Sequence, residues 1–158
     1  SRFAWRDSLE ALGADREFDQ GLLDVFGVFS RSDHTFQLGA RYYSTVEGTA
    51  PIQDVFRTGG LFEFPGFFDN ELSGQNYYLL RSGYMTNLVD FPGPSPHFGV
   101  VLNYGQFADQ PDGLSLSEGA YAGALWLGWD TPIGGIYVGY GAADTGDSTL
   151  YLKVGTMN

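Results

Sequence analysis

The last third of the chain alternates apolar and polar residues over short stretches that are separated by tight polar turns. The clearest case is residues 125–140, where two aromatic-rich stretches flank a turn at residues 130–135. Residues 149–155 form a further stretch of the same kind. Alternation with a period of two residues predicts β-strands with two different faces. Repeated hairpins of this type are typical of transmembrane β-barrels, in which residues facing lipid alternate with residues facing the lumen.

The rest of the chain continues the same pattern and predicts eight strands in all. They fall at residues 2–12, 18–30, 34–43, 74–84, 97–105, 120–129, 136–142 and 148–156. The connections at 31–33 and 130–135 are short, whereas those at 44–71 and 108–118 are long. Short periplasmic turns and long outer loops give such an arrangement in bacterial outer-membrane barrels, whose strand number is even. We therefore expect an all-β fold, an antiparallel transmembrane β-barrel with eight strands, formed by residues 1–158 as a single domain.

Composition is consistent with this expectation and excludes several other classes of protein. The chain has 158 residues with 23 Gly, 13 Phe and 10 Tyr, a mixture that suits curved strands and interfacial aromatic girdles. It lacks a run of 18 apolar residues, which argues against a transmembrane helix. The net charge of -11 argues against a nucleic-acid partner, because few basic residues are present to neutralise phosphates. Without cysteine there is neither a disulfide framework nor a thiolate zinc site, and we predict no metal or cofactor.

The sequence predicts no enzymatic site. Ser32, Asp33 and His34 are the residue types of a hydrolase triad, but three adjacent residues on a turn cannot form one. A Gly-x-Ser-x-Gly nucleophile elbow is also absent from the sequence. A second histidine, His97, stands at the start of another predicted strand, and we place both histidines near the periplasmic end of the barrel.

Three segments of the central region carry a resemblance to a known family. They are Phe-Arg-Thr-Gly-Gly at 56–60, Phe-Pro-Gly-Phe at 64–67 and Glu-Leu-Ser-Gly-Gln-Asn-Tyr at 71–77. Together they resemble the C-terminal barrel of the bacterial surface-antigen superfamily, which includes BamA-type insertases, TamA-type translocation proteins and two-partner secretion transporters. Residues 102–105, 130–134 and 148–155 resemble, in the same order, a later strand, a periplasmic turn and the closing strand of that barrel. The nearest likeness is to the barrel of patatin-like phospholipase autotransporters, and the chain resembles the last eight strands of a sixteen-stranded barrel.

The resemblance implies that the long central loop folds back into the barrel lumen. The residues matching the loop pattern are Gly59, Gly60, Pro65, Gly66 and Phe67. In most of the superfamily an Arg stands at the position of Pro65 and anchors the loop in the lumen, so this chain departs from the pattern there. The opposing hypothesis is an ordinary external loop rich in turn residues. An eight-stranded barrel is just filled by its own side chains, which conflicts with a loop inside it.

Strand alternation assigns two further groups of residues. The less apolar faces predict a polar network in the lumen, with Asp24 as partner of the cations Arg41, Arg81 and Lys153. Charges buried there are expected to be paired, since an unpaired buried charge is costly. The apolar faces are predicted to contact lipid through Phe36, Leu38, Tyr42, Leu80, Leu102, Leu150 and Leu152.

The function that follows is an outer-membrane barrel that anchors an attached passenger domain and exports it, without chemistry of its own. The expected location is the bacterial outer membrane. Expected partners are outer-membrane lipid and lipopolysaccharide, the barrel assembly machinery during insertion, and a second copy of the chain if two half-barrels form a homodimer. One alternative is a fragment of an insertase or translocase barrel, and another is a soluble ligand-binding β-barrel. The sequence leaves open whether eight strands close alone or two copies form a larger barrel.

Overall fold

A computed structural model describes residues 2–8, 18–52, 54–88, 96–131 and 134–155. Within these residues the protein is built from β-strands, together with a single 3-10 turn at Pro111–Gly113. The strands are β1 (Arg2–Ser8), β2 (Phe18–Arg31), β3 (His34–Gly48), β4 (Phe56–Thr58), β5 (Leu72–Gly74), β6 (Asn76–Asn87), β7 (Pro96–Ala108), β8 (Ala120–Thr131), β9 (Gly134–Ala143) and β10 (Ser148–Gly155).

Eight of these strands form one antiparallel sheet in the order β1-β2-β3-β6-β7-β8-β9-β10. Each strand pairs antiparallel with the strands that stand next to it in this order. The prediction of eight antiparallel strands in an all-β fold is confirmed. In the described part of the chain the sheet is open, because β1 pairs with β2 alone and β10 pairs with β9 alone.

The third strand is longer than the sequence predicts, and the difference comes from a β-bulge. The predicted strand ends at Tyr43, whereas β3 continues to Gly48. The register between β2 and β3 shifts between Asp19 and Gln20, which places an extra residue in β3. Ser44 and Thr45 are consequently both buried, so the period-two pattern is lost although the strand goes on.

The long central connection also contains regular structure that the prediction lacks. The sequence predicts no strand in residues 44–71, but β4 and β5 pair as a small two-stranded sheet within and beside that segment. Each of the two strands has three residues, too few to show an alternating pattern. The predicted extension of the first strand to residue 12 and the centre of the turn at 130–135 lie outside the described residues.

The two faces of the eight-stranded sheet are different. One face is overlaid by the loop between β3 and β6, and we call it the covered face. Two clusters of buried residues lie between this face and the loop: one centres on Leu61 and Trp126, the other on Phe64 and Tyr77. The opposite face, which we call the bare face, has no layer of described residues over most of its extent and carries the exposed apolar side chains of every second strand position.

Candidate functional site: a loop fastened across one face of the sheet

Residues 56–74 of the connection between β3 and β6, which we call the loop, cross the covered face from the side of β3 to β10. Leu61 and Phe64 are almost completely buried, at 0% and 1% exposure. Leu61 packs in the cluster that holds Trp126, and Phe64 packs in the cluster that holds Leu79. The burial of these side chains means that the loop and the sheet share both buried clusters.

Glycines allow the loop to approach the sheet and to turn back on itself. Gly59, Gly60 and Gly66 have positive φ angles of 132°, 95° and 101°, which residues other than glycine rarely adopt. A Cβ atom on Gly66 would lie 2.9 Å from the backbone nitrogen of Ala143 on β9. On Gly59 it would collide with the carbonyl oxygen of Phe68. Of the five residues predicted to fold toward the lumen, Gly59, Gly60, Pro65 and Gly66 are buried and Phe67 is half-buried.

Hydrogen bonds from β10 hold the far end of the loop. The backbone nitrogen of Gly66 donates to the Tyr151 hydroxyl at 2.9 Å, and that hydroxyl donates to the carbonyl oxygen of Phe67 at 2.7 Å. Thr149 Oγ1 donates to the carbonyl oxygen of Gly66 at 2.6 Å. Two side chains on alternate positions of one strand therefore satisfy three backbone groups of the loop.

An ion-pair network holds the near end of the loop. Arg41 on β3 donates from Nη1 to Glu63 Oε1 at 2.8 Å and from Nε to Asp24 Oδ2 at 2.9 Å. Arg81 on β6 donates to the other oxygen of Asp24 at 2.7 Å. Thr58 Oγ1 donates to Glu63 Oε2 at 2.7 Å, so both oxygens of the Glu63 carboxylate are bonded. The two guanidinium groups and two carboxylates balance in charge, as partly buried ions require.

Lys153, the fourth predicted member of the polar network, lies elsewhere. Its Nζ is 3.4 Å from Asp69 and 5.7 Å from the centre of the Phe62 ring. The structure thus groups Asp24, Arg41 and Arg81 with the unpredicted Glu63, and places Lys153 at the opposite end of the loop. Glu63 could not be assigned from the sequence, because it belongs to a loop without periodicity and its partners are far away in the chain.

Asn103 on β7 is another contact of the loop that sequence reasoning missed. Its Nδ2 donates to the carbonyl oxygens of Phe62 and Glu63 at 3.3 and 2.5 Å. Asn103 is 3% exposed and lies on the covered face between apolar residues of β7. An Asn flanked by Leu102 and Tyr104 in an alternating strand was the available signal for a polar contact on this face.

The bare face carries the seven residues predicted to contact lipid. Their exposed fractions run from 44% to 75%, and they are Phe36, Leu38, Tyr42, Leu80, Leu102, Leu150 and Leu152. Exposed apolar residues on neighbouring strands extend this surface, among them Val25, Phe29, Leu125, Val138 and Tyr140. Ser82 is a polar residue of this face, and its hydroxyl donates to the Leu102 carbonyl oxygen at 2.6 Å.

Aromatic residues lie in rows near both ends of the strands on the bare face. Tyr42, Tyr78, Tyr104 and Tyr121 follow one another across β3, β6, β7 and β8, with ring centres 5.9 Å apart for Tyr78 and Tyr104 and 4.5 Å apart for Tyr104 and Tyr121. Nearer the other end lie Phe29, Phe36, Tyr84, Phe98 and Trp129. Among described residues, strand positions of the bare face between these rows carry no Asp, Glu, Lys or Arg.

The two histidines do not join the serine and aspartate of the turn in a catalytic arrangement. His34 Nδ1 is 2.8 Å from the Tyr84 hydroxyl, while Ser32 Oγ donates to Asp33 at 3.4 Å. His97 lies between Asn87 and Asp130, with nitrogen–oxygen distances of 3.0 and 2.9 Å. The described residues contain no group of three or more His, Asp or Glu side chains that could hold a metal ion.

Comparisons with known proteins add no relative. No protein-family model, curated protein or solved structure matches the chain. Across the described residues, no helix has the length and apolar character needed to cross a membrane.

Proposed function

We propose that this chain is an outer-membrane β-barrel domain that anchors, and exports, an attached passenger. The observation that carries the proposal is the bare face. It presents a broad apolar surface without charged strand residues between two rows of aromatic side chains in the described part of the sheet. Water-soluble monomers rarely expose contiguous apolar patches above a few hundred Å², whereas an apolar band between aromatic girdles is the lipid-facing surface of outer-membrane barrels.

The dimensions of the bare face support a lipid-facing role. Phe36 and Tyr42 mark the two aromatic rows on β3 and are six positions apart. At about 3.3 Å per residue, six positions span about 20 Å along the strand. Strands of such barrels are tilted by about 35–45°, so this stretch covers about 15 Å of the apolar band of about 25 Å, and the aromatic rings extend it at both ends.

The charges of the covered face support its assignment to a lumen. It holds the charged residues Asp24, Arg41, Glu63 and Arg81, which are paired with one another. Between the two aromatic rows, the described strand residues carry charges on the covered face and none on the bare face, which fits a sheet with lipid on its bare side and a polar interior on its covered side. The loop across that interior is placed to control passage, which is the basis for proposing export.

An insertase or translocase role is the second candidate, and the open edges of β1 and β10 favour it. Unpaired strand edges are templates for the addition of a strand from another chain. A translocase would retain an edge that opens in the membrane, whereas an anchor would have its edges paired. A soluble ligand-binding barrel is not favoured, because its apolar face would surround an enclosed cavity rather than lie exposed.

Folding into lipid tests the proposal. The unfolded chain is diluted into phospholipid vesicles, into detergent micelles and into plain buffer, and its mobility in gels is compared with and without heating. We expect strand-rich circular dichroism and a heat-dependent mobility in vesicles and micelles, with aggregation in buffer. A folded, water-soluble monomer in plain buffer would contradict the proposal.

A further inference from the structure

We infer that two copies of this chain join through their free edges, with β1 of each copy paired to β10 of the other, into one sixteen-stranded barrel. The inference rests on the proposed function and concerns the partner of the two edges. In the described residues, β1 and β10 each have one neighbouring strand. Among the strands that the structure describes, the outer edges of these two have no partner for their backbone groups. Within lipid such groups must be paired, because no water is present to bond them.

Closure of the eight strands on themselves conflicts with the loop. The interior of an eight-stranded barrel is just wide enough for its own side chains. Here the covered face already carries the loop, with Leu61, Phe64 and Pro65 each less than 2% exposed. If β1 and β10 of the same chain paired, the sheet would curl over the space that the loop occupies. The ion pairs and hydrogen bonds that fasten the loop would then be lost.

Space beside the loop also points to a wider interior. On the side of β1 and β2, a cavity of about 460 Å³ lies next to the loop and is lined by Arg2, Asp24, Phe26, Phe62 and Arg81 among others. The far end of the loop, in contrast, is packed directly on β10 through Gly66 and Tyr151. The loop thus fills one side of the covered face and leaves the other side open, as expected for half of a larger lumen.

The two edges are complementary in direction. The sheet has an even number of strands and each neighbouring pair is antiparallel, so β1 and β10 run in opposite directions. A two-fold axis along the barrel places β1 of one copy antiparallel to β10 of the other at two identical seams. Two copies give sixteen strands, an even number as in single-chain outer-membrane barrels, and a closed symmetric dimer has no remaining edge.

Exposure of the edge residues shows where the second copy would add burial. On the bare face, Phe3 of β1 is 74% exposed, and Leu150 and Leu152 of β10 are 75% and 74% exposed. Side chains on the inner strands of the same face are less exposed, for example 47% for Val25 and 57% for Leu125. A neighbouring strand at each edge would cover the outer side of these residues, which is exposed in the single sheet.

Disulfide trapping tests the inference, since the chain has no cysteine of its own. A Phe3→Cys chain is mixed while unfolded with a Leu150→Cys, Leu152→Cys or Val154→Cys chain, and each mixture is refolded in micelles and oxidised. We expect two chains per micelle-bound particle and a cross-link between the two variants in at least one mixture. Neither variant should cross-link when refolded alone, because identical positions lie at different seams. Leu102→Cys, in the middle of the sheet, is the matched control and should not cross-link to Phe3→Cys.

Three results would overturn the inference, and they differ in what else they overturn. A disulfide within a single chain carrying both Phe3→Cys and Leu152→Cys would show that eight strands close alone. A micelle-bound, heat-modifiable monomer without cross-links would refute the dimer and leave the membrane barrel in place. A monomer folded in water without detergent would refute both the dimer and the proposed function.

Discussion

Glu63 in the loop and Arg41 on β3 form an ion pair that joins the loop to the sheet, with 2.8 Å between Oε1 and Nη1. The loop supplies the acid and the strand supplies the base, and Thr58 donates to the second oxygen of the same carboxylate. The pair therefore fastens the loop to the sheet without a basic residue at Pro65.

Replacement of Glu63 by Gln should destabilise the fold. The substitution weakens the bond to Arg41 and leaves a partly buried guanidinium with Asp24 as its remaining acid. Hydrogen bonds to charged groups contribute about 1.5–3 kcal/mol, and we expect a loss of about 2 kcal/mol in the free energy of unfolding. Urea titration of the protein in micelles measures this value. Glu118→Gln, at an exposed loop position, should change it by less than about 0.5 kcal/mol. Equal effects of the two changes would contradict the role of Glu63.

Replacement of Tyr151 by Phe should release the far end of the loop. The variant loses the hydroxyl that binds both Gly66 and Phe67, and a buried backbone N–H is left unpaired. An unsatisfied buried group costs about 1–3 kcal/mol. Hydrogen exchange should become faster in the peptide that contains Gly66. The control is Tyr140→Phe on the bare face, where the side chain is 55% exposed; unchanged exchange in the Tyr151 variant would refute this assignment.

Two glycines with similar backbone angles should respond differently to alanine. Gly66 has φ of 101° and a Cβ there would meet the backbone of β9 at 2.9 Å, whereas Gly146 has φ of 98° and no atom within 4 Å. Both variants bear the strain of positive φ, of about 1 kcal/mol or more. Only Gly66→Ala also separates the loop from the sheet, for which we expect about 1–3 kcal/mol in addition. Thermal or urea unfolding compares the two, and an equal loss of stability would argue against close packing at Gly66.

A charge on the bare face should be tolerated in water and costly in lipid. Leu102 is 63% exposed, so Leu102→Arg would have little effect on a soluble sheet. On the lipid face of a barrel, Arg near the bilayer midplane costs about 2–4 kcal/mol. The free energy of unfolding in vesicles measures the difference. Leu116→Arg, in a loop at 75% exposure, is the control and should be close to neutral. A near-neutral Leu102→Arg in vesicles would show that this face does not contact hydrocarbon.

The extent of successful prediction follows from how local each signal is. The strand containing Phe36, Leu38 and Tyr42 is recognisable because the alternation of its own side chains reveals both the strand and its faces. The end of β3 at Gly48 was missed because a bulge shifts the alternation without ending the strand. Glu63 was missed for another reason: its partner is 22 positions away, and an irregular loop contains no pattern that identifies such a partner.

Val25 and Phe26 distinguish a bare face that contacts lipid from a covered face that does not. These neighbours on β2 point to opposite faces and are almost equally exposed, at 47% and 45%. A spin label is attached to Val25→Cys or to Phe26→Cys, and its accessibility to oxygen and to a water-soluble nickel complex is measured in vesicles. We predict that the label at Val25 is accessible to oxygen and inaccessible to the nickel complex, and that the label at Phe26 shows the reverse. Equal access of the nickel complex to both labels would contradict a bare face that is buried in lipid.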